Sequence, residues 1–302
     1  MAGIYIYSEN SSLAKQLVTA ASALKASLNE PVVVVTTDAA PEGFAAAGVD
    51  KLVALKGAGA PESFVSAIAD TVKEASVVLF GATSRGKDIA SKVASKLGAS
   101  LVSEAQSLSI EGGALVTTRM TYGGLAMNTE KSVFPALATI PSRSYEEAAA
   151  GAAAETVTVD AAADSRVTVV STSPIEHEGV DITEAERLVS VGRGLAKVED
   201  MAMVKELASA LNAEVACSRS IAEDYHWLPV ETYVGISGQK VKPELYFAIG
   251  ISGQIQHIAG MRDSKVIVAI DTNDKAPIFE AADYGIVGDM YEVVPKLIAA
   301  LK

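Results

Sequence analysis

Apolar residues fall along this chain in short, β-branched runs separated by longer alanine-rich stretches with helical spacing. Residues 4–7 (IYIY) make the first run, Glu9, Asn10, Ser11 and Ser12 supply turn and capping groups, and an alanine-rich helix is expected from about Leu13 to Leu28. Pro31 is expected to end it. Residues 32–36, 50–56 and 77–80 read as further strands, with helical stretches such as 61–74 between them. Strands alternating with helices predict a parallel sheet. After Phe80, the polar loop Gly81-Ala82-Thr83-Ser84-Arg85-Gly86-Lys87-Asp88 opens a helix at a strand's C-terminal edge, where open α/β sheets bind ligands.

From Leu101 to Ile140 the rhythm shortens, with β segments at 108–110 and 114–120, a turn at Glu111-Gly112-Gly113, and a run ending in FPALATI. This stretch reads as an antiparallel addition. Residues 147–164 are almost wholly small residues around one strand-like TVTV, which places a domain boundary there and divides the chain into 1–165 and 166–302. Beyond an acidic connector containing His177, a second α/β series follows. Its strands are expected at 188–191, 213–217, 245–249, 265–270 and 284–287, with helices near 202–211, 254–261 and 290–301. Arg193, Ser218 with Arg219, Ser252, Asp271 and Asp289 then stand at strand ends, along one edge of a parallel sheet. The stretch 245–271 stands out. Its strand stops at Gly250, turns through Ile251-Ser252-Gly253, and opens a short helix carrying His257, an arrangement that offers backbone N–H groups to an anionic or carbonyl-rich ligand.

Composition narrows the classes. In 302 residues, 49% are hydrophobic and 21% charged, an ordinary globular balance with room for two domains. A formal net charge of −12 argues against a nucleic-acid partner, which would be held by lysine and arginine. One cysteine, Cys217, excludes an intrachain disulfide, and His177, His226 and His257 have no zinc-ligand spacing. The N-terminus enters a strand directly and no apolar run reaches the ~18 residues of a membrane span, so the expectation is a cytoplasmic protein without membrane insertion.

Taken singly, the motifs are weak. Gly192-Arg193-Gly194 begins like a dinucleotide fingerprint but has Lys197 where the third glycine belongs, which leaves a tight turn or a phosphate contact through Arg193. GATSRGKD lacks nucleoside-triphosphate-loop spacing and reads as a capped helix start. Cys217 and Trp227 read as packing residues, and no nucleophile, base and orienting partner form a hydrolytic set.

Together, Leu245-Tyr246, GISGQIQH with Gly260, and Ala269-Ile270 resemble the signature of the electron-transfer flavoprotein alpha subunit. The resemblance extends through VSVGRGL, CSRSIAE, the VGIS turn and APIFEAADYGIVGD; RMTYGGLA and ATSRGKDIASK resemble FixB-type members found beside acyl-CoA and carnitine metabolism. It implies an N-terminal, mostly parallel α/β domain with antiparallel additions that contacts a partner, and a C-terminal Rossmann-like or flavodoxin-like doubly wound domain that binds FAD. The implied partner is a smaller beta subunit holding AMP or a second FAD. The implied activity is carriage of single electrons between an acyl-CoA dehydrogenase-type protein and a quinone oxidoreductase or ferredoxin. A flavin oxidoreductase acting directly on a small molecule, and a non-redox nucleotide-binding subunit, are the alternatives.

The FAD contacts the resemblance implies are Arg193, Ser218 and Arg219, the turn Val234, Gly235, Ile236 and Ser237, the loop Ser252, Gly253, Gln254, Ile255, Gln256 and His257, and Asp271, Asp289 and Met290. Reduction puts negative charge at the flavin's N1 and C2-carbonyl side, so a donor such as His257 there binds the reduced form more tightly. A bond worth ~1.5–3 kcal/mol more in that form raises a one-electron potential by roughly 60–130 mV. Arg219 is expected to act on the ring by charge, and Ser237 to offer a hydroxyl near N5 and the C4 carbonyl. Asp271 stands where the family has asparagine, and a carboxylate near a pyrophosphate is unfavourable.

Overall fold

The computed structural model describes residues 2–151, 155–173 and 181–302. It divides into two compact units, Met1–Ser173 and Pro174–Lys302. His177 and the alanines at 152–154 lie outside the described residues.

In the first unit the chain runs through β1 (Ile4–Tyr7), α1 (Ser11–Leu28), β2 (Val32–Thr36), β3 (Lys51–Lys56), α2 (Val65–Val72), β4 (Val77–Gly81) and α3 (Ser84–Leu97). Then come β5 (Ser100–Val102), β6 (Ser107–Glu111), β7 (Ala114–Thr121), β8 (Ala126–Val133), β9 (Ala136–Ile140) and β10 (Glu155–Asp160). Seven strands form a parallel sheet in the order β10-β3-β2-β1-β4-β9-β5. Its central strands are continuous apolar runs because both faces are covered. Ile4, Ile6, Val34 and Leu79 pack with Leu17 and Leu24 of α1, whereas Tyr7, Val35 and Phe80 pack with Ile68 of α2 and Ile89 and Val93 of α3.

Two expectations are corrected. Helix α1 closes at Asn29, whose left-handed φ of 52° lets its N–H reach the Lys25 carbonyl; Pro31 lies beyond the stop. Of the stretch 101–140, only β6, β7 and β8 are antiparallel, while β5 and β9 join the parallel sheet. The TVTV segment is β10, paired in parallel with β3. The GATSRGKD loop is a capped helix start, in which the Thr83 hydroxyl accepts from Gly86 N–H at 2.8 Å.

The second unit contains β11 (Arg187–Val191), α4 (Met201–Leu211), β12 (Glu214–Cys217), β13 (Leu245–Ile249), α5 (Ile255–Met261), β14 (Val266–Asp271), α6 (Ile278–Ala281), β15 (Tyr284–Val287) and α7 (Met290–Leu301). All five strands are parallel, in the order β12-β11-β13-β14-β15. Counted within the unit this is 2-1-3-4-5, the flavodoxin-like order of a doubly wound sheet, with its switch point between β11 and β13. Val189, Val191, Phe247 and Ile249 pack against α4 and α7; Leu188, Tyr246 and Ala248 face the side covered by α5 and α6.

Because Leu79 is fully buried in β4 whereas Leu125 is 77% exposed, Leu79→Ala should cost about 2–5 kcal/mol in urea unfolding and Leu125→Ala under about 0.5 kcal/mol. Equal losses would contradict this packing.

Candidate functional site

A parallel sheet gathers the C-terminal ends of its strands on one edge. In the second unit that edge carries Gly192, Arg193 and Gly194 after β11, Ser218 and Arg219 after β12, and Gly250 to His257 after β13. Asp271 ends β14, and Asp289 follows β15. At the switch point two of these loops meet main chain to main chain. Gly192 N–H donates to the Ile249 carbonyl at 3.0 Å, Gly194 N–H to the Gly250 carbonyl at 3.0 Å, and Gly250 N–H to the Ile270 carbonyl at 2.8 Å. A Cβ on Gly194 would lie 2.5 Å from Gly250 Cα, and one on Gly250, which has φ +60°, 2.7 Å from Gly194 Cα. The two loops therefore touch through backbone alone at the switch point, where doubly wound sheets bind their ligands. A tyrosine braces the loop beyond Gly194 from α7: the Tyr291 hydroxyl accepts from Ala196 N–H at 2.8 Å and donates to Asp200 Oδ2 at 2.7 Å.

The turn at Val234 is tied to the same edge from two sides. Val234 N–H donates to the Cys217 carbonyl and Ile236 N–H to the Gln256 carbonyl, both at 2.9 Å. Gly235 lies flat against α5, where a Cβ on Gly260 would come within 2.6 Å of Gly235 N. Tyr233 closes the turn by donating its hydroxyl to the Ser237 carbonyl at 2.6 Å. The structure thus brings Val234, Gly235, Ile236 and Ser237 beside the loop that runs from Ser252 to His257. Ile236, Ser237, Ser252, Gln254, Ile255 and Gln256 are exposed, while Gly253 is buried against Ile278.

The charged and hydroxyl groups differ in how freely they can reach a ligand. Arg193 is exposed. Arg219 is also exposed and pairs with Glu223 at 2.5 Å, a hydrogen bond that raises its guanidinium pKa. The Ser218 hydroxyl is buried and has no hydrogen-bond partner. Asp271 turns Oδ1 to Asn273 N–H at 2.9 Å, and Asp289 caps α7 by accepting from Tyr291 N–H at 2.8 Å. Both carboxylates are therefore held by local backbone. Met290 is buried beneath the edge.

His257 sits in the first turn of α5 and is only 7% exposed. Its Nε2 lies 2.9 Å from the fully buried Tyr246 hydroxyl, and its Nδ1 is buried without a hydrogen-bond partner. Burial lowers the imidazole pKa to about 4, against a smaller upward pull from the Val234 backbone. The ring is neutral at physiological pH. Burial likewise pushes the Cys217 thiol up to about 11, despite its contact with the Thr232 hydroxyl, so it is a protonated packing residue. The residue pattern did not single out Tyr233, Tyr246 or Tyr291 as edge-building groups. The available signal was that a buried tyrosine hydroxyl requires a partner.

A glycine-to-glycine contact at a topological switch point, flanked by two exposed arginines and an unpartnered buried serine hydroxyl, marks a protein that holds a nucleotide-type cofactor at its sheet edge. These groups fit FAD, whose pyrophosphate needs cations and close backbone and whose ring needs donors. Residues 181–262 match the electron transfer flavoprotein FAD-binding domain, and residues 9–165 the electron transfer flavoprotein domain. The chain is 38% identical over 305 aligned residues to Protein FixB of Escherichia coli O6:K15:H31 (strain 536 / UPEC) and to Protein FixB of Shigella dysenteriae serotype 1 (strain Sd197). Both alignments cover 99% of this chain and 97% of the relative. A solved benzoylformate decarboxylase from Polynucleobacter necessarius aligns at 13% identity and TM-score 0.27, covering 99% of this chain and 58% of the enzyme, a likeness too slight to carry any argument. The chain belongs to the electron-transfer flavoprotein alpha-subunit family and is of the FixB type. FAD is accordingly its cofactor and a beta subunit its heterodimer partner.

His257 also makes a pH prediction. With the folded pKa depressed from 6.5 to about 4, the unfolded chain takes up a proton first as pH falls, so stability held above 6.5 is lost progressively towards 4. The contribution is on the order of 3 kcal/mol. His257→Gln should show a smaller loss of unfolding free energy between pH 6.5 and 4 than the parent chain; an identical pH dependence would contradict the buried neutral imidazole.

Proposed function

We propose that this chain, paired with its beta subunit, carries single electrons between dehydrogenases of acyl-CoA or carnitine metabolism and a quinone oxidoreductase or ferredoxin in the cytoplasm. One observation carries the choice of a carrier over a substrate-transforming enzyme. The sheet edge gathers main chain, arginines and hydroxyls suited to gripping a cofactor, while burial leaves Cys217 a protonated thiol and makes His257 a weak base whose Nε2 is engaged by Tyr246. FAD supplies the one-electron chemistry when bound. The chain's part is to hold and bias it.

In this reading the glycine contact at Gly194 and Gly250 lets backbone approach the cofactor, and Arg193 with the exposed loop from Ser252 to Gln256 holds its charged portion. Ser218 offers the hydroxyl that lacks a partner within the chain. Arg219 places positive charge where negative charge develops on reduction, and the Glu223 pairing keeps the guanidinium anchored by partly neutralising it. Ser237 supplies a hydroxyl on a turn fixed by Tyr233. The Asp271 carboxylate accepts from Asn273 N–H through Oδ1, a local bond that partly offsets its charge beside an anionic cofactor. No helix among the described residues is long and apolar enough to cross a membrane, which is compatible with diffusion between protein partners.

The purified heterodimer should be yellow and inert towards small-molecule substrates until a dehydrogenase is added. Arg219→Ala should lower the midpoint potential of the bound flavin while FAD stays stoichiometric. A redox titration with unchanged potential would contradict the charge role, and turnover of a small molecule by the heterodimer alone would contradict the carrier reading. Flavin content distinguishes a simple shuttle, with one FAD per heterodimer, from a complex with a second flavin in the beta subunit.

A further inference from the structure

Tyr246 and His257 come from different elements, β13 and α5, eleven residues apart, and meet through one hydrogen bond of 2.9 Å in the interior. The loop between them lies at the sheet edge, so this bond ties the loop's far end back to the central strand. Two proton arrangements are open to it. In one, the phenol O–H donates to a bare Nε2 and the imidazole proton sits on Nδ1. In the other, Nε2–H donates to the phenol oxygen and Nδ1 is bare.

Burial decides between them. Tyr246 is 0% exposed, and desolvation drives its pKa far above the ordinary phenol value, so its proton stays on oxygen and requires an acceptor. Nε2 is the acceptor in hydrogen-bond reach. The neighbouring Ser190 hydroxyl, itself fully buried, pulls the phenol pKa down as a donor facing the phenol oxygen does, although its geometry falls short of a hydrogen bond, so it does not compete with Nε2 for the phenol proton. The Nδ1 side of the ring is buried and has no hydrogen-bond partner within the chain. A ring protonated at Nε2 would set two donors against each other and leave the phenol proton unmatched; a ring protonated at Nδ1 avoids that cost.

We propose that Tyr246 is a positioning residue that donates its hydroxyl to Nε2 of His257 and so fixes the imidazole as the neutral tautomer protonated at Nδ1. The ring then keeps a single N–H donor, at Nδ1. The consequence for the flavin rests on the reading above that His257 belongs to the FAD site; the tautomer does not.

The test uses the FAD-loaded heterodimer with 15N-labelled histidine. The chain has three histidines, and His257→Gln identifies the signal. Long-range 1H–15N spectra should show His257 protonated at Nδ1, and Tyr246→Phe should shift the pattern towards protonation at Nε2, with FAD still stoichiometric and its midpoint potential changed. An Nε2-protonated ring in the parent, or a pattern unmoved in Tyr246→Phe, overturns the proposal. If the tautomer moves and the potential does not, Tyr246 is confirmed as the positioning residue and it is the placement of His257 at the flavin that fails.

Discussion

Main chain touching main chain at Gly194 and Gly250 is the constraint on which the C-terminal edge depends. Two strands that are neighbours in the sheet but remote in sequence can end in loops this close only if neither carries a side chain. Any Cβ there would lie within 2.7 Å of backbone atoms that cannot move aside. The contact fixes where Arg193 leaves the sheet and where the loop through Ser252 begins. Tyr291 ties the loop beyond Gly194 to α7 through Ala196 N–H, and Tyr233 closes its own turn on the Ser237 carbonyl.

Burial governs the chemistry of the same edge. The groups that could have made it hydrolytic or nucleophilic are held neutral by desolvation, whereas the groups that keep their charge, Arg193 and Arg219, are exposed. An electron carrier needs that division, because it must stabilise added charge without attacking anything. The two carboxylates that would oppose an anionic cofactor, Asp271 and Asp289, are occupied as local caps. On the proposed reading, complementarity to an anionic cofactor comes from engaging acids locally as well as from placing bases.

The sequence carried most of the strands because continuous β-branched runs such as VVVV at 32–35 can be satisfied only inside a doubly covered sheet. Pairing was less legible. The three residues of β5 and the five of β9 look alike whether their partners run parallel or antiparallel, since the deciding hydrogen bonds are non-local. Asn29 escaped notice as a helix stop because its left-handed conformation is a choice of the folded backbone, while Pro31 announces itself chemically. At the site, the shared strand edge followed from the α/β alternation, but the strand order that makes Gly194 and Gly250 neighbours did not. Neither did the Tyr246–His257 bond, for a tyrosine inside an apolar run reads as core until its hydroxyl is asked for a partner.

The central claim is that a side-chain-free contact at the switch point builds the flavin site. Gly250→Ala tests it most directly, through the ratio of flavin absorbance to protein in the purified heterodimer with assembly verified by size-exclusion chromatography. An assembled heterodimer that has lost most of its FAD is the predicted result; one that retains stoichiometric FAD would contradict the account.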